Sequence, residues 1–379
     1  MKLIKTIRTH WKKSIFFTGL SVVGCKYGYN WYKENLLLRQ YCLAIRHHSL
    51  QKVDPERSVK QIVVFLNKSA AEGRAAKTFA KFAVPMLSMS GVNFVVVPTS
   101  YEGHVTSLLK YLPTQIEAVV VAGGDGMLQD AITAVLRNDK CKHLPVGFIP
   151  LGTNNTFIRR LLSGADELSH VDKICQSVIN IVEGNVEKVP IMAITPAQGN
   201  TIYATSYFTW GCVKSAIDFI PKFWWCGRGR TMVAMMRFSA STTWPCNIRT
   251  QLDEDDTKEL ANLTVLPGEN TLMVQTVPAI QERLEFLESV GLSIHDNRHG
   301  TLLDLLILHQ PPPQPHGQEI SVQPMSEGKF FVDGESVDCR AIRINYLADT
   351  LSMFVPRNPI PRAIANVLPD VPNSFANFM

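Results

Sequence analysis

The chain has 379 residues, which favours two folded domains because single hydrophobic cores rarely grow beyond about 250–300 residues. Hydrophobic residues make up 46% of it. That is ordinary globular usage, and it argues against both wholesale disorder and a protein with many membrane spans. The 8 cysteines include no C-x-x-C pair. The sequence therefore offers neither a disulfide framework nor a zinc ribbon.

Positive charge is concentrated at the N-terminus. Residues 1–60 contain 12 Lys or Arg and 3 Asp or Glu, so that the net charge of +5 for the whole chain leaves a net charge of −4 for the remainder. A body with this charge argues against nucleic acid as a partner.

The first 35 residues have the pattern of a targeting or membrane-anchoring segment. Leu3, Ile7, Trp11 and Ile15 recur at helical spacing among basic residues, and no acidic residue precedes Glu34. This pattern is typical of a mitochondrial targeting helix. The apolar run 15–25 is shorter than the roughly 20 residues that cross a bilayer, and extension to residue 32 gives marginal length. We predict attachment of residues 1–35 to a mitochondrial membrane, with a spanning helix, a peripheral helix and a cleaved secretory signal as alternatives.

The part of the chain from 58 to 183 alternates between strands and helices. Apolar runs predict strands at 60–66, 93–97, 117–122 and 146–149, and helical patterns lie at 75–90, 101–112 and 128–137. Short buried strands that alternate with helices favour a parallel sheet with helices on both faces. We therefore predict an α/β N-terminal domain over 58–183.

A different pattern begins near residue 184. Strand-like segments at 201–209, 271–276, 302–308, 329–332 and 341–346 are separated by turn-rich sequence, which predicts an antiparallel β-rich C-terminal domain over 184–360 and a tail at 361–379. The acidic stretch 251–259 and the proline-rich stretch 311–315 are expected to be surface loops.

The most informative motif is Gly123-Gly124-Asp125-Gly126, which follows a buried strand and precedes a helix. Glycines at this position permit close approach of a ligand to the backbone and positive φ angles. The N-terminus of the next helix offers N–H groups to an anion. A carboxylate beside phosphates requires a bridging Mg²⁺ or a role in accepting a proton. The structural alternative is a tight turn in which Asp125 caps the helix.

Two motifs together resemble the diacylglycerol kinase catalytic family, in its acylglycerol kinase branch. The first is this glycine motif, and the second is Pro150-Leu151-Gly152-Thr153-Asn154-Asn155 after the next strand. The segment 66–74, Thr99 with 101–104, and the late motif Phe331-Val332-Asp333-Gly334-Glu335 are also similar to that family. The resemblance covers residues 1–160 well and the β-rich part thinly.

The resemblance implies a nucleotide-binding fold and the binding of ATP and Mg²⁺. Carried over by position, the residues that would hold ATP are Asn67, Thr99, Gly123, Gly124, Asp125, Gly126, Gly152 and Thr153. Asp125 would be catalytic and would contact the metal, Asp333 would be a further metal ligand, and Glu335 or Asp125 would accept the proton of the lipid hydroxyl. For Asp333 and Glu335 the structural alternative is a hairpin turn with exposed carboxylates.

Three positions depart from the family pattern. Met127 replaces a threonine, Lys68 replaces a proline, and Thr156 replaces an acidic residue. Each change could weaken nucleotide binding, although the ammonium group of Lys68 could instead help to hold phosphate.

Three functional hypotheses follow from the resemblance. The first is an ATP-dependent lipid kinase that phosphorylates monoacylglycerol and diacylglycerol to lysophosphatidic and phosphatidic acid at a mitochondrial membrane. We expect the inner membrane, with the body in the intermembrane space. The second is a nicotinamide-nucleotide kinase, against which the Pro150–Asn155 segment and the N-terminus argue. The third is a kinase-independent structural subunit of an inner-membrane complex that imports carrier proteins, which would make that complex a partner.

Overall fold

The computed structural model describes residues 11–51, 61–101, 103–113, 115–152, 155–162, 168–197, 199–205, 207–211, 222–223, 225–226, 233, 244–251, 257–265, 271–278, 289–296, 319–324, 329–332, 335–338 and 341–357. The expected strand at 302–308, the loop at 311–315 and the tail at 361–379 lie outside these residues.

Four parallel strands form one end of the larger sheet, and their bounds are β1 Gln61–Asn67, β2 Asn93–Thr99, β3 Ala118–Gly123 and β4 Val146–Pro150. They are ordered β2-β1-β3-β4 in the sheet. All four expected strands are therefore present, each within one or two residues of its predicted bounds.

The helices that follow these strands cover both faces of the sheet. They are α2 Ala75–Thr78, a π-helical turn Phe79–Ala83, α3 Val84–Met89, α4 His104–Leu109, α5 Asp125–Arg137, α6 Thr156–Leu161 and α7 His170–Glu183. Successive residues of a strand point to opposite faces. Accordingly, Val119 and Val121 pack with α4 and α5, whereas Val120 and Ala122 pack with α3 and α7. This two-sided burial explains why β1, β3 and β4 are continuous apolar runs, whereas the edge strand β2 is partly exposed.

A single long helix, α1 Trp11–Gln51, precedes the sheet. It continues well past residue 35, and its later part packs on the α3 and α7 side through Leu37, Leu38, Tyr41 and Ile45. Residues 11–35 of the predicted N-terminal segment are thus the first part of a helix that joins the domain core. No helix within the described residues is both long and apolar enough to cross a membrane.

Beyond residue 184 the described elements are mainly strands, namely β5 Val186–Pro196, β6 Ile202–Ala204, β7 Tyr207–Gly211, β8 Trp244–Gln251, β9 Thr257–Val265, β10 Thr271–Pro278, β11 Ser289–Asp296, β12 Glu319–Pro324, β13 Lys329–Val332, β14 Glu335–Asp338 and β15 Ile342–Phe354. They pair antiparallel with one another, as expected. The expected loop 251–259 is instead partly strand, because Thr257 pairs with Gln251 across a hairpin.

The two parts of the fold share one sheet. The C-terminal end of β15 pairs parallel with β4 through Met353 and Val146, so that the described part of this sheet runs β2-β1-β3-β4-β15-β12-β8-β9. A second described sheet has the order β11-β10-β7-β13-β14. The domain bounds at 183 and 184 remain predictions.

Candidate active site

The candidate site lies where the direction of the connections reverses in the parallel sheet. Strands β1 and β3 are neighbours, but the helix after β1 packs on one face and the helix after β3 packs on the other. In open α/β sheets, ligands bind in the crevice that opens at the carboxyl ends of two such strands. Both β1 and β3 end at segments that the sequence analysis selected, at Asn67 and Gly123.

The two glycine-rich loops touch each other at this edge. The carbonyl oxygen of Gly123 accepts hydrogen bonds from the N–H groups of Leu151 (2.8 Å) and Gly152 (3.1 Å). A Cβ on Gly152 would lie only 2.8 Å from the Cα of Gly124. Glycine therefore permits a close approach of two backbone segments here, and the approach of a ligand stays a prediction. We call this contact of Gly124 with Gly152 the glycine junction.

Positive φ is not the reason for these glycines. Gly124 has φ −99° and ψ 179°, which is extended backbone open to any residue. Among the described residues, the glycines with positive φ lie elsewhere, and neither Gly123 nor Gly126 is one of them. That part of the sequence interpretation is wrong, because space rather than backbone conformation selects glycine at this turn.

Asp125 is the first residue of α5, not its cap. The N-cap position belongs to Gly124, so the alternative in which Asp125 occupies that position is wrong. A carboxylate in the first turn is stabilised by the positive end of the helix dipole. The half-buried Asp125 side chain lies at the carboxyl edge of the sheet. At that place a carboxylate can contact a magnesium ion that is bound to phosphate.

A cavity of about 240 Å³ opens beside this turn, lined by Asn67, Ser69, Thr99, Ser100, Tyr101, Gly103, His104, Val105, Gly126, Met127 and Asp130. Three of the predicted ATP-binding residues, Asn67, Thr99 and Gly126, line it together although they come from three different segments. We call it the first cavity.

Gly152 lines a second cavity of about 430 Å³, together with Ala71, Arg74, Thr78, Asn155, His170 and Lys173. The segment 67–74 after β1 contributes residues to both cavities. The glycine junction and this segment therefore lie between two cavities along one edge of the sheet. The second cavity is lined by the cationic side chains of Arg74 and Lys173.

Two predicted binding residues hold the loops that surround the first cavity. The side-chain oxygen of Asn67 accepts a hydrogen bond from Ser69 N–H at 2.9 Å. The buried Thr99 hydroxyl donates to the carbonyl oxygen of Leu66 at 3.3 Å. Both side chains shape the cavity wall as well as facing it.

Asp130 is a cavity residue that the sequence analysis missed. One carboxylate oxygen accepts a hydrogen bond from Gly103 N–H at 2.9 Å, which ties α5 to the start of α4. Burial raises the pKa of the Asp130 carboxyl above its ordinary value, and this hydrogen bond acts in the opposite direction. Its position four residues after Gly126, one helical turn away, was the available signal.

Tyr101 and His104 form a stacked aromatic pair at the first cavity. Their ring centroids are 4.3 Å apart, with an interplanar angle of 19°. His104 begins α4 and accepts a hydrogen bond from Ser100 N–H through Nδ1 at 3.3 Å. The side chain of His104 is only partly exposed and forms part of the cavity wall.

Of the three positions that depart from the family pattern, the surroundings of Met127 are the best described. Its side chain lines the first cavity, and its sulfur lies 2.7 Å from where a Cβ on Gly123 would be. The thioether therefore occupies space that only a glycine at 123 leaves open. Lys68 is exposed and does not line either cavity. Thr156 is the first residue of α6.

The remaining predicted site residues are only partly described. Thr153 and Asp333 lie outside the described residues. Glu335 begins β14, and its backbone pairs with Val332 in the hairpin β13–β14. The hairpin that the sequence analysis gave as the alternative for this motif is therefore present. The catalytic role of Glu335 stays a prediction. Trp225, outside both cavities, is 68% exposed, which excludes core packing for that residue.

The residues that the structure describes would hold a magnesium ion only together with the phosphates of a bound nucleotide. They contain no group of three or more His, Cys, Asp or Glu side chains that could hold a metal ion. Mg²⁺ in kinase sites is commonly held by one or two carboxylates together with substrate phosphates and water. Asp125 beside the glycine junction suits that arrangement.

Comparison with known proteins agrees with this geometry. Residues 61–193 match the family model described as the diacylglycerol kinase catalytic domain. A crystal structure of a diacylglycerol kinase from Bacillus anthracis has the same fold, with a TM-score of 0.56 at 16% identity over 79% of this chain and 98% of that one. The chain therefore matches the diacylglycerol kinase catalytic domain over residues 61–193 and shares the fold of that solved structure.

Within that class, the chain is similar to the mitochondrial acylglycerol kinases. It is 33% identical to the protein from Xenopus laevis over 248 residues, which cover 65% of this chain and 57% of the relative. It is 34% identical to the Mus musculus protein over 244 residues, covering 64% and 57% respectively. The chain thus spans a little over half the length of these relatives. The resemblance read from the sequence motifs is confirmed.

Proposed function

We propose that the protein is an ATP-dependent lipid kinase that phosphorylates monoacylglycerol and diacylglycerol to lysophosphatidic and phosphatidic acid at a mitochondrial membrane. The observation that carries the proposal is the first cavity at the switch point, where Asn67, Thr99 and Gly126 meet beside the glycine junction. The catalytic-domain match over residues 61–193 and the similarity to mitochondrial acylglycerol kinases support it.

In this proposal the first cavity takes the nucleoside of ATP. The stacked pair of Tyr101 and His104 offers an aromatic surface for a purine ring. Asp130 offers a carboxylate acceptor for an amino or hydroxyl group. The phosphates would then run along the glycine junction, where the backbone comes close and the first turn of α5 presents N–H groups.

Mg²⁺ would neutralise the charge that develops on the transferred phosphoryl group. Asp125 would be its ligand from this chain, with Asp333 as a further ligand. Beside Asp125, the backbones of Gly124 and Gly152 meet with no side chain between them.

The acceptor hydroxyl of the lipid must lose its proton as its oxygen bonds to phosphorus. A carboxylate oxygen of Glu335 or of Asp125 would accept that proton, while the bond between the γ-phosphorus and the bridging oxygen of ADP breaks. Most of the rate enhancement would come from position and electrostatics, as is usual for phosphoryl transfer.

The membrane location rests on the N-terminal residues. Seven Lys or Arg and no Asp or Glu lie in residues 1–33, and exposed aromatic side chains follow residue 26. Attachment there would keep the enzyme at a bilayer that contains its substrate. We place the protein at the inner membrane with the body in the intermembrane space.

The decisive test is transfer of labelled γ-phosphate from ATP and Mg²⁺ to mono- and diacylglycerol in detergent micelles by the full chain. Asp125→Asn should lower the rate by about 10²–10³-fold, as expected when one electrostatic contact to the transition state is lost. The matched control is Asp139→Asn, because Asp139 lies on the surface beyond α5 and pairs with Lys142.

Equal rates for both variants would remove Asp125 from the site. Absence of transfer from folded wild-type protein with all acylglycerols would reject the kinase and leave the kinase-independent subunit of an import complex. That alternative requires residues 1–35 and makes Asp125 dispensable.

A further inference from the structure

Helix α1 has two halves with different surroundings. Residues 20–33 are exposed on every side of the helix, including Leu20, Val23, Tyr27 and Trp31, each at least half exposed. From Glu34 onward the helix is progressively buried against the domain. An apolar helix surface that faces solvent all round is not explained by packing within the chain.

The second half is held by specific contacts as well as by apolar packing. Glu34 forms an ion pair with Lys81 at 2.7 Å. The Tyr41 hydroxyl donates to a carboxylate oxygen of Asp172 at 3.2 Å, and Tyr41 itself is 2% exposed. Asp172 also accepts from Ser169 in the capping box of α7, so the helix is fastened to a well-defined part of the fold.

These contacts define the direction in which α1 leaves the domain. The segment 75–89 starts at the carboxyl edge of the sheet, after β1, and runs away from it. Glu34 contacts Lys81 in the middle of this segment, whereas Tyr41 and Ile45 belong to the buried cluster that includes Met86 and Leu87 of α3, at the far end of the segment. The two segments therefore run in the same direction, and the N-terminal half of α1 extends past the carboxyl edge. At 1.5 Å per residue, the stretch from residue 20 to 33 is about 20 Å long.

The exit point of α1 lies beside the candidate active site. Thr78 and His170 line a groove on the surface together with Asn30 and Leu37 of α1. The same two residues line the second cavity, which contains Gly152 of the glycine junction. The exposed half of α1 thus leaves the protein next to the place where phosphate would bind.

An anionic bilayer surface is the occupant that the composition favours. Residues 1–33 contain seven Lys or Arg and no Asp or Glu, and the aromatic residues Tyr27, Tyr29, Trp31 and Tyr32 lie at the end of the exposed half. Basic residues are attracted to anionic lipid, and Trp and Tyr prefer the membrane interface.

We propose that α1 is a rigid connection that orients the carboxyl edge of the sheet, with the phosphate end of the site, toward the surface of an anionic bilayer. The inference rests on the proposed lipid kinase activity. It adds that the active edge is held at the bilayer by helix geometry and not by a flexible tether, so that the acceptor hydroxyl of a membrane lipid reaches the site without leaving the bilayer.

The test breaks the helix between its halves without changing its length. Asn30→Pro removes one helical hydrogen bond and clashes with the preceding turn, whereas Asn30→Ala keeps the helix. Asn30 is exposed, so neither variant disturbs the core. Vesicles of phosphatidylcholine with one third phosphatidylglycerol and a little long-chain diacylglycerol provide the membrane substrate, and dioctanoylglycerol dispersed in buffer provides the soluble one.

We expect Asn30→Pro to lose at least tenfold in rate on vesicles and to keep the wild-type rate on dioctanoylglycerol, with Asn30→Ala unchanged on both. Neutron reflectometry on a supported bilayer of the same composition should give one protein height for wild type and a broad distribution for Asn30→Pro. A wild-type rate and height for Asn30→Pro, or a broad distribution for wild type, would overturn the proposal. Wild-type protein inactive on both substrates would reject the kinase, while the height distributions would still test the orientation.

Discussion

Substitution of Gly152 by alanine is the perturbation that tests the glycine junction most directly. An alanine Cβ would lie 2.8 Å from the Cα of Gly124 and 2.9 Å from the side-chain oxygen of Asn155. The first of these is a backbone atom that no rotamer change can move away. Gly152 does not have a positive φ, so the clash is the only penalty expected.

The size of the effect follows from that distance. Carbon atoms in contact normally lie about 3.5–4.0 Å apart, so the two loops must separate by roughly 0.7 Å or more. Overpacking of this kind typically costs about 1–3 kcal/mol. We therefore expect Gly152→Ala to lower the free energy of unfolding by about 2 kcal/mol and to weaken ATP binding, because Gly124 carries Asp125 with it.

The assay is urea unfolding of the full chain, followed by circular dichroism, with ATP binding measured by calorimetry. Gly124→Ala is the matched control, since its Cβ would meet the Cα of Gly152 at an ordinary 3.7 Å. Gly124 is a helix N-cap, and its replacement by alanine should cost about 0.5 kcal/mol.

Equal destabilisation by the two alanines would refute the reasoning. It would mean that the β3 and β4 loops are farther apart than the junction requires, or that they separate at no cost. A Gly152→Ala protein with wild-type stability would lead to the same conclusion.

Three further predictions concern other parts of the molecule. Tyr41→Phe should lower the free energy of unfolding by about 0.5–1.5 kcal/mol in urea, through loss of the hydrogen bond to Asp172; no change would show that this bond does not fasten α1. Because the pKa of Asp130 is raised in the folded state, its ionisation opposes folding, and stability is lost as pH rises from the ordinary value of 3.8 to the raised one. Asp130→Asn should therefore gain stability relative to wild type across that window in a pH series of urea titrations, and a constant difference would contradict the shift. In an alkylation experiment followed by mass spectrometry, the exposed Cys25 should react rapidly. Cys175 should react only when the protein unfolds, because it is buried and burial raises the pKa of its thiol. Early modification of Cys175 would mean that α7 opens locally.

The four parallel strands and the helices between them were predictable because their signal is local. A run such as Ala118–Gly123 is apolar throughout, and only a strand buried on both faces needs that pattern. Antiparallel pairing after residue 184 was also predictable in kind. The union of the two parts through Met353 and Val146 was not, since a single parallel pairing between residues about 200 positions apart leaves no local pattern.

The candidate site shows the same division. The motif around Asp125 was visible in the sequence because a strand, three glycines and a helix follow one another directly. The positive φ expected for those glycines is absent, and the turn instead needs space for the backbone of Gly152. Asp130 was missed because its importance depends on the approach of Gly103 from another helix.

What the sequence alone determined is therefore the parallel α/β core, the location of the glycine turns at its carboxyl edge and the resemblance to lipid kinases. Each of these depends on residues that are close together in the chain. Only the tertiary structure decided that Gly152 packs on Gly124, that the cavity wall includes Asp130, and that α1 continues past residue 35 to dock through Tyr41. These contacts join segments distant in sequence, and their formation depends on how the helices pack on the two faces of the sheet.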